Sequence, residues 1–330
     1  MTGYTRFMTD LALALRAKIL FTMRFDRVVG IVCLIVVLLS ASEVFSQRRS
    51  TIIPPGPSGV VTISTQPNAI VWIDEIRRGV TDASGRLQVK KVSSGRHTVR
   101  VRATGFREVV TPLLPGRRAI TVKLVRTTDQ AELIFQQAEE AREKAKDDEA
   151  RRAAVQLYQQ ALRLRSAFPA AHVGLARVLL DLNEYQEALA AIDAARSTRP
   201  AYAEASAVEG RINREAAFTD EAIQSFRRAI REARGPQPEA HVGLARILEE
   251  QGKYPEAIAE YRTALAQLSD SEPVIYQLLG AAYEKQEKYK EALAAYEKYL
   301  ELAPNGSLAP ALRSIIDQLR RDAAGQEIIP

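Results

Sequence analysis

Seven consecutive residues, Ala171-His-Val-Gly-Leu-Ala-Arg177, recur unchanged at Ala240-His-Val-Gly-Leu-Ala-Arg246, a displacement of 69. That is two periods of 34 to 35 residues, and the residues in between test the period. Ala154, Ala188, Ala222, Ala257 and Ala292 follow one another at spacings of 34, 34, 35 and 35. Four residues after each stand Tyr158, Ile192, Phe226, Tyr261 and Tyr296; seven after each stand Ala161, Ala195, Ala229, Ala264 and Tyr299. Positions i, i+4 and i+7 share one helical face, so the pattern is a helix whose small residues admit a neighbour and whose large residue fills the gap between them. A unit this short cannot bury its own apolar face; stacked copies must supply the core, which confines this part of the chain to a helical solenoid.

The pattern resembles the tetratricopeptide repeat, most clearly at Leu278-Leu279-Gly280-Ala281-Ala282-Tyr283, Ala292, Tyr296 and Pro304. Five helix pairs are predicted within residues 128–306, starting near Phe135, Pro169, Ala203, Pro238 and Pro273. Asp129 and Glu132 read as a capping box that opens the array. Leu308, Leu312, Ile315, Ile316 and Leu319 form a stripe that predicts a terminal capping helix in residues 307–330.

Ahead of the repeats the composition changes. From Gln47 to Thr127 there are 15 basic and 4 acidic residues; from Thr128 to Pro330 there are 26 and 33, so the net charge of +6 conceals two oppositely charged parts. Residues 47–59 hold Pro54-Pro55-Gly56-Pro57 and read as a semi-rigid linker. Between 60 and 127, short apolar runs punctuated by glycine predict strands at Val60–Thr65, Ile70–Asp74, Leu87–Val92, His97–Ala103, Arg107–Leu113 and Ala119–Leu124, the signature of an all-β sandwich. In His97-Thr-Val-Arg-Val-Arg102 the valines define a core face, and Thr98, Arg100 and Arg102 a solvent face. Pro67-Asn68-Ala69, Val71-Trp72-Ile73-Asp74, Gly79-Val80-Thr81, Gly95-Arg96-His97 and Gly105-Phe106 follow the motif order of the PEGA domain, which this segment resembles. It departs from that family where Glu75 replaces a usual glycine and Asp82 a usual proline. Gly79-Val-Thr-Asp-Ala-Ser-Gly85 also resembles the turn of carboxypeptidase regulatory-like domains. Either resemblance implies a non-catalytic sandwich.

The first 46 residues read as a targeting segment. Arg24 and Arg27 precede an apolar run over residues 28–39, and the small residues that follow suit cleavage after Ser42 or Ser46. A longer reading, residues 28–45, serves as a membrane anchor, and Met23 opens a more typical basic region than Met1 does. Basic residues before the run place the rest outside the cytoplasm, in the periplasm or on the outer face of the membrane.

Catalytic signatures are missing from the sequence: it has no phosphate-binding glycine loop, nucleophile elbow or His-Glu-x-x-His helix. Cys33, the only cysteine, sits in the apolar run, and the three histidines, His97, His172 and His241, have no shared ligand spacing, so neither a metal site nor a cofactor is expected. Few aromatics argue against a nucleic-acid reader. The repeating polar signal is Arg177, Arg211 and Arg246, one per repeat on the first helix, with Val173, Ala207 and Val242 one turn earlier. Guanidinium groups above a small apolar floor suit a protein or peptide partner on the concave face. Asp181, Glu215 and Glu250 follow the arginines at i+4, and pairing with them is the competing reading. The expected whole is a multi-domain, non-enzymatic envelope scaffold: a small all-β sandwich followed by an all-α repeat solenoid. Its alternative is a basic sandwich that grips anionic lipid or a cell-wall polymer.

Overall fold

A computed structural model describes residues 59–92, 95–233, 235–268 and 272–326. The targeting segment of residues 1–46 and residues 47–58 of the linker lie outside the described residues. Among the described residues, no helix is long and apolar enough to cross a membrane.

Seven strands come first: β1 (Gly59–Ser64), β2 (Ile70–Ile73), β3 (Ile76–Val80), β4 (Arg86–Val92), β5 (His97–Arg102), β6 (Val109–Leu113) and β7 (Ala119–Thr121). They form two sheets, ordered β4-β1-β7 and β3-β2-β5-β6. All neighbours are antiparallel except β1 and β7, which run parallel. Val61, Ile63, Val71, Ile73, Val89, Val99, Val101 and Val122 point inward and close the core between the sheets. Six strands lie where alternation predicts them. The seventh, β3, reads Ile-Arg-Arg-Gly-Val and has no alternation; it exists because Asp74 and Glu75 turn the chain back on itself with φ of 51° and 65°. Two consecutive positive φ values make the two-residue hairpin turn that matches strand twist, normally built from Asn-Gly.

Eleven helices follow among the described residues: α1 (Gln130–Lys144), α2 (Asp148–Leu164), α3 (Pro169–Asp181), α4 (Tyr185–Thr198), α5 (Ala203–Glu215), α6 (Thr219–Glu232), α7 (Pro238–Glu250), α8 (Tyr254–Leu268), α9 (Pro273–Glu284), α10 (Tyr289–Leu302) and α11 (Ala309–Gln326). Four pairs begin at the predicted prolines and Ala203. The first begins five residues before Phe135, because Asp129 caps α1 by accepting from the Ala131 and Glu132 N–H groups. The reciprocal half of the expected capping box does not form: the Asp129 N–H goes to Thr127, and the Glu132 carboxylate faces Gln136 and Arg165.

Every member of the small-large-small series is buried. Three of the large members, Tyr158, Phe226 and Tyr296, stack against a glycine of a first helix, so that a Cβ on Gly174 would stand 2.4 Å from the Tyr158 ring and one on Gly243 only 2.2 Å from Phe226. The tyrosines in this position keep their rings in the core and donate their hydroxyls to Glu139, Glu249 and Glu284. The last pair is closed by α11, whose Leu312, Ile316 and Leu319 cover Tyr296 and Tyr299.

The turn inside each of the last four pairs is also periodic. Asn183, Ala217, Gly252 and Glu287 have φ of 60°, 64°, 72° and 58°. At each, the two following hydrogen bonds of a Schellman motif close the first helix, as in Glu184 N to Leu179 O and Asn183 N to Leu180 O, both 2.9 Å.

Candidate partner-binding cleft

The outer face of the β3-β2-β5-β6 sheet is a solvent face only in part: Thr98 is exposed as alternation predicts, but the two arginines are not. Arg100 and Arg102 are only 15% and 10% exposed, because the array covers them. Arg102 donates to Glu108 at 2.8–2.9 Å and reaches Glu139 of α1 at 3.3 Å, with its guanidinium 4.8 Å from the Phe135 ring centre. Arg100 lies 4.3 Å over Trp72 and pairs with Glu75 at 2.8 Å. Burial opposes the charge on Arg102, yet Glu108 and Glu139 hold its pKa above the ordinary value.

Three more clasps join the sandwich to the array. Gln136 of α1 accepts the Gly105 N–H and donates to the Phe106 carbonyl, each at 2.8 Å. Arg77 pairs with Glu143 at 3.1 Å. Arg78 donates to the carbonyls of Leu268 and Gln267 at 3.1 and 3.5 Å, where the C-terminal end of α8 favours a cation. Between them Ile76, 5% exposed, joins the apolar cluster that includes Ile258, Leu265, Leu268 and Ile275.

Inside these clasps lies a cleft of about 830 Å³, walled on one side by Trp72, Arg100 and Arg102 and on the other by Arg142, Arg177, Glu204 and Glu239. The predicted arginine row is split by this arrangement. Arg177, on the cleft wall, meets Glu204 at 3.4 Å and Glu239 at 3.2 Å; Arg211 meets Glu239 at 3.5 Å; Arg246 is exposed and has no carboxylate partner among the described residues. Burial works against charge at Arg177 and at Glu204, but each is held ionised by the other and its neighbours, Arg177 shifted up and Glu204 down. None of the three arginines takes its i+4 acid. Glu215 and Glu250 both bind Arg214 instead. Of the floor residues, Val173 and Ala207 are fully enclosed between helices and present nothing to a ligand, and Val242 is half-buried against the α8–α9 cluster. The acids Glu204 and Glu239 were overlooked as site residues, although their period was readable: each is the second residue of a first helix, 35 apart.

The histidines have separate local roles. His97 meets Asp74 at 2.6 Å, His172 the Ser166 carbonyl at 2.9 Å and His241 Glu260 at 2.6 Å. No metal-binding cluster occurs among the described residues.

Residues 145–212 and 237–305 each match the family described as Tetratricopeptide repeat. The helical array is thus a tetratricopeptide repeat solenoid, a fold that serves as a scaffold for protein–protein interaction. No curated protein matches the chain. Among solved structures, pilF of Pseudomonas aeruginosa is similar at 16% identity and a TM-score of 0.50, covering 59% of this chain and 86% of that one. A thermophilic TPR protein of Thermus thermophilus is similar at 22% identity and a TM-score of 0.48, covering 57% and 98%.

Proposed function

We propose that the chain is an exported envelope scaffold without catalytic activity, whose sandwich is PEGA-like and whose repeats hold a partner protein in the concave groove through the arginine row. One observation carries the reading: no arginine of the row is consumed by the acid one turn along its own helix. Arg177 is engaged by Glu204 and Glu239, Arg211 more loosely by Glu239, and Arg246 stands open. The row therefore runs from a closed end at the cleft to an open end at repeat four, where a partner's carboxylates have a bidentate donor available. Export rests on the basic residues and apolar run of residues 24–39.

A photo-crosslinking residue at position 246, compared with one at Glu187 on α4, tests the groove in the native envelope. One discrete adduct at 246 that is missing at 187 is expected; the same adducts at both positions would discard the groove. A reporter active only outside the cytoplasm, fused after Gln47, tests export independently.

A further inference from the structure

We infer that the outer face of the β4-β1-β7 sheet docks on an anionic membrane surface, holding the sandwich against lipid headgroups. The argument is a partition of charge. Basic residues on the array side of the sandwich are engaged: Arg77, Arg100 and Arg102 by carboxylates, and Arg78 by the end of α8. On the opposite sheet, alternation turns Val61, Ile63, Val89 and Val122 inward. That leaves Arg86 and Lys90 along one edge and Arg117 and Lys123 along the other, all exposed, on either side of the strip Val60, Thr62 and Ser64.

Carboxylates are too few to balance them. The four acids of residues 47–127 are Asp74, Glu75, Asp82 and Glu108. Three of them work on the array side. Only Asp82, beside β4, is left to offset them: Oδ1 accepts from Ser84 N at 2.8 Å, Ser84 Oγ at 2.7 Å and Arg86 N at 2.9 Å, these bonds hold its pKa below the ordinary aspartate value, and its one negative charge stands next to Arg86 against four cations. A sheet face with four exposed cations and one edge acid attracts an extended anionic surface, and the attraction fades beyond about 8 Å at physiological salt.

Chain length favours a membrane surface as the occupant. In the longer reading the anchor ends at Phe45, 14 residues before Gly59, and a chain that long spans at most about 50 Å. The strand that leaves this tether is β1, the centre of the basic sheet. If residues 28–45 are retained as an anchor, they keep the sandwich within reach of the headgroups, and the basic face is the one with charge for them.

The test uses the full chain with Cys33→Ser and a fluorophore on Gln88→Cys, reconstituted in phosphatidylcholine vesicles with or without phosphatidylglycerol and carrying a headgroup-linked quencher. Quenching is expected with phosphatidylglycerol and not without it. It should be lost in high salt, and reduced at least about tenfold by the combined change of Arg86, Lys90, Arg117 and Lys123 to Gln, four exposed residues that leave the core untouched. A label on Gln251→Cys in the array should stay bright throughout. Equal quenching in neutral and anionic vesicles would overturn the inference. So would quenching that ignores lipid charge while the protein binds soluble polyglycerol phosphate, which would assign the face to a wall polymer. Neither outcome touches the groove, because the vesicles contain no partner protein.

Discussion

Gln136 of α1 binds the Gly105–Phe106 turn of the sandwich in both directions, accepting from one residue and donating to the next, so a side chain of the array completes a turn of another domain. It is 7% exposed, and removing the amide leaves two backbone groups without partners. Gln136→Ala is expected to lower stability by about 1–3 kcal/mol. It should also split a single urea transition into two, read by Trp72 fluorescence for the sandwich and by circular dichroism for the helices. Superimposed transitions in the variant would refute the coupling.

Ala217 occupies a left-handed position that glycine fills in the next repeat, at Gly252. Ala217→Gly removes that strain against a rise in unfolded-state freedom, and is expected to stabilise the array by up to about 1 kcal/mol, measured as a rise in the urea midpoint. Gly252→Ala should shift the midpoint the other way.

Phe226 presses on Gly210 and Gly243 at once, and its ring is fully buried. Gly243→Ala is expected to destabilise by about 1–3 kcal/mol through overpacking, as is Ala222→Leu one turn before the ring. Pairing Gly243→Ala with Phe226→Leu should recover part of the loss; a purely additive double mutant would locate the clash elsewhere.

Arg177 and Arg246 occupy equivalent repeat positions but separate in their effects. Arg177→Gln leaves Glu204 and Glu239 short of a cation and is expected to cost about 1–3 kcal/mol, whereas Arg246→Gln should stay within about 0.5 kcal/mol. Thermal midpoints of the two variants check the difference.

Glu232 meets Arg196 at 2.8 Å and the Ser206 hydroxyl at 2.6 Å. Burial pushes its pKa up, but these two bonds more than offset it and hold the carboxyl below the ordinary value of 4.5. A depressed folded-state pKa means the stabilisation is present above that ordinary value and is lost as pH falls through the lower, folded one. Glu232→Gln should therefore flatten the acid limb of stability against pH. An unchanged limb would show that the cluster does not form.

The repeat array was legible because helix contacts are local: a period of 34 to 35 with alanine at fixed places sets both the register and the neighbours. Pro169, Pro238 and Pro273 marked helix starts for the same local reason. What escaped was non-local. Strand β3 has too little alternation to be seen, and depends on a turn that a glycine at Glu75 would have advertised. The burial of Arg102 depends on Glu139 and Phe135, more than 30 residues away, and alternation along β5 reports only that the two faces differ. For the arginine row, i+4 spacing named the wrong acids, since stacked repeats bring Glu204 and Glu239 closer than the next turn of the same helix does.

The parallel pairing of β1 with β7 has a mechanical consequence. The chain enters the sandwich at the start of one strand and leaves past the end of its parallel neighbour, so tension between the residues before Gly59 and the array pulls the two strands along their length in opposite directions. The bonds from Thr62 N to Arg118 O and from Val122 N to Ser64 O, both 2.9 Å, then bear the force together instead of unzipping in turn. A load applied between Gly59 and the repeats meets a shear clamp first.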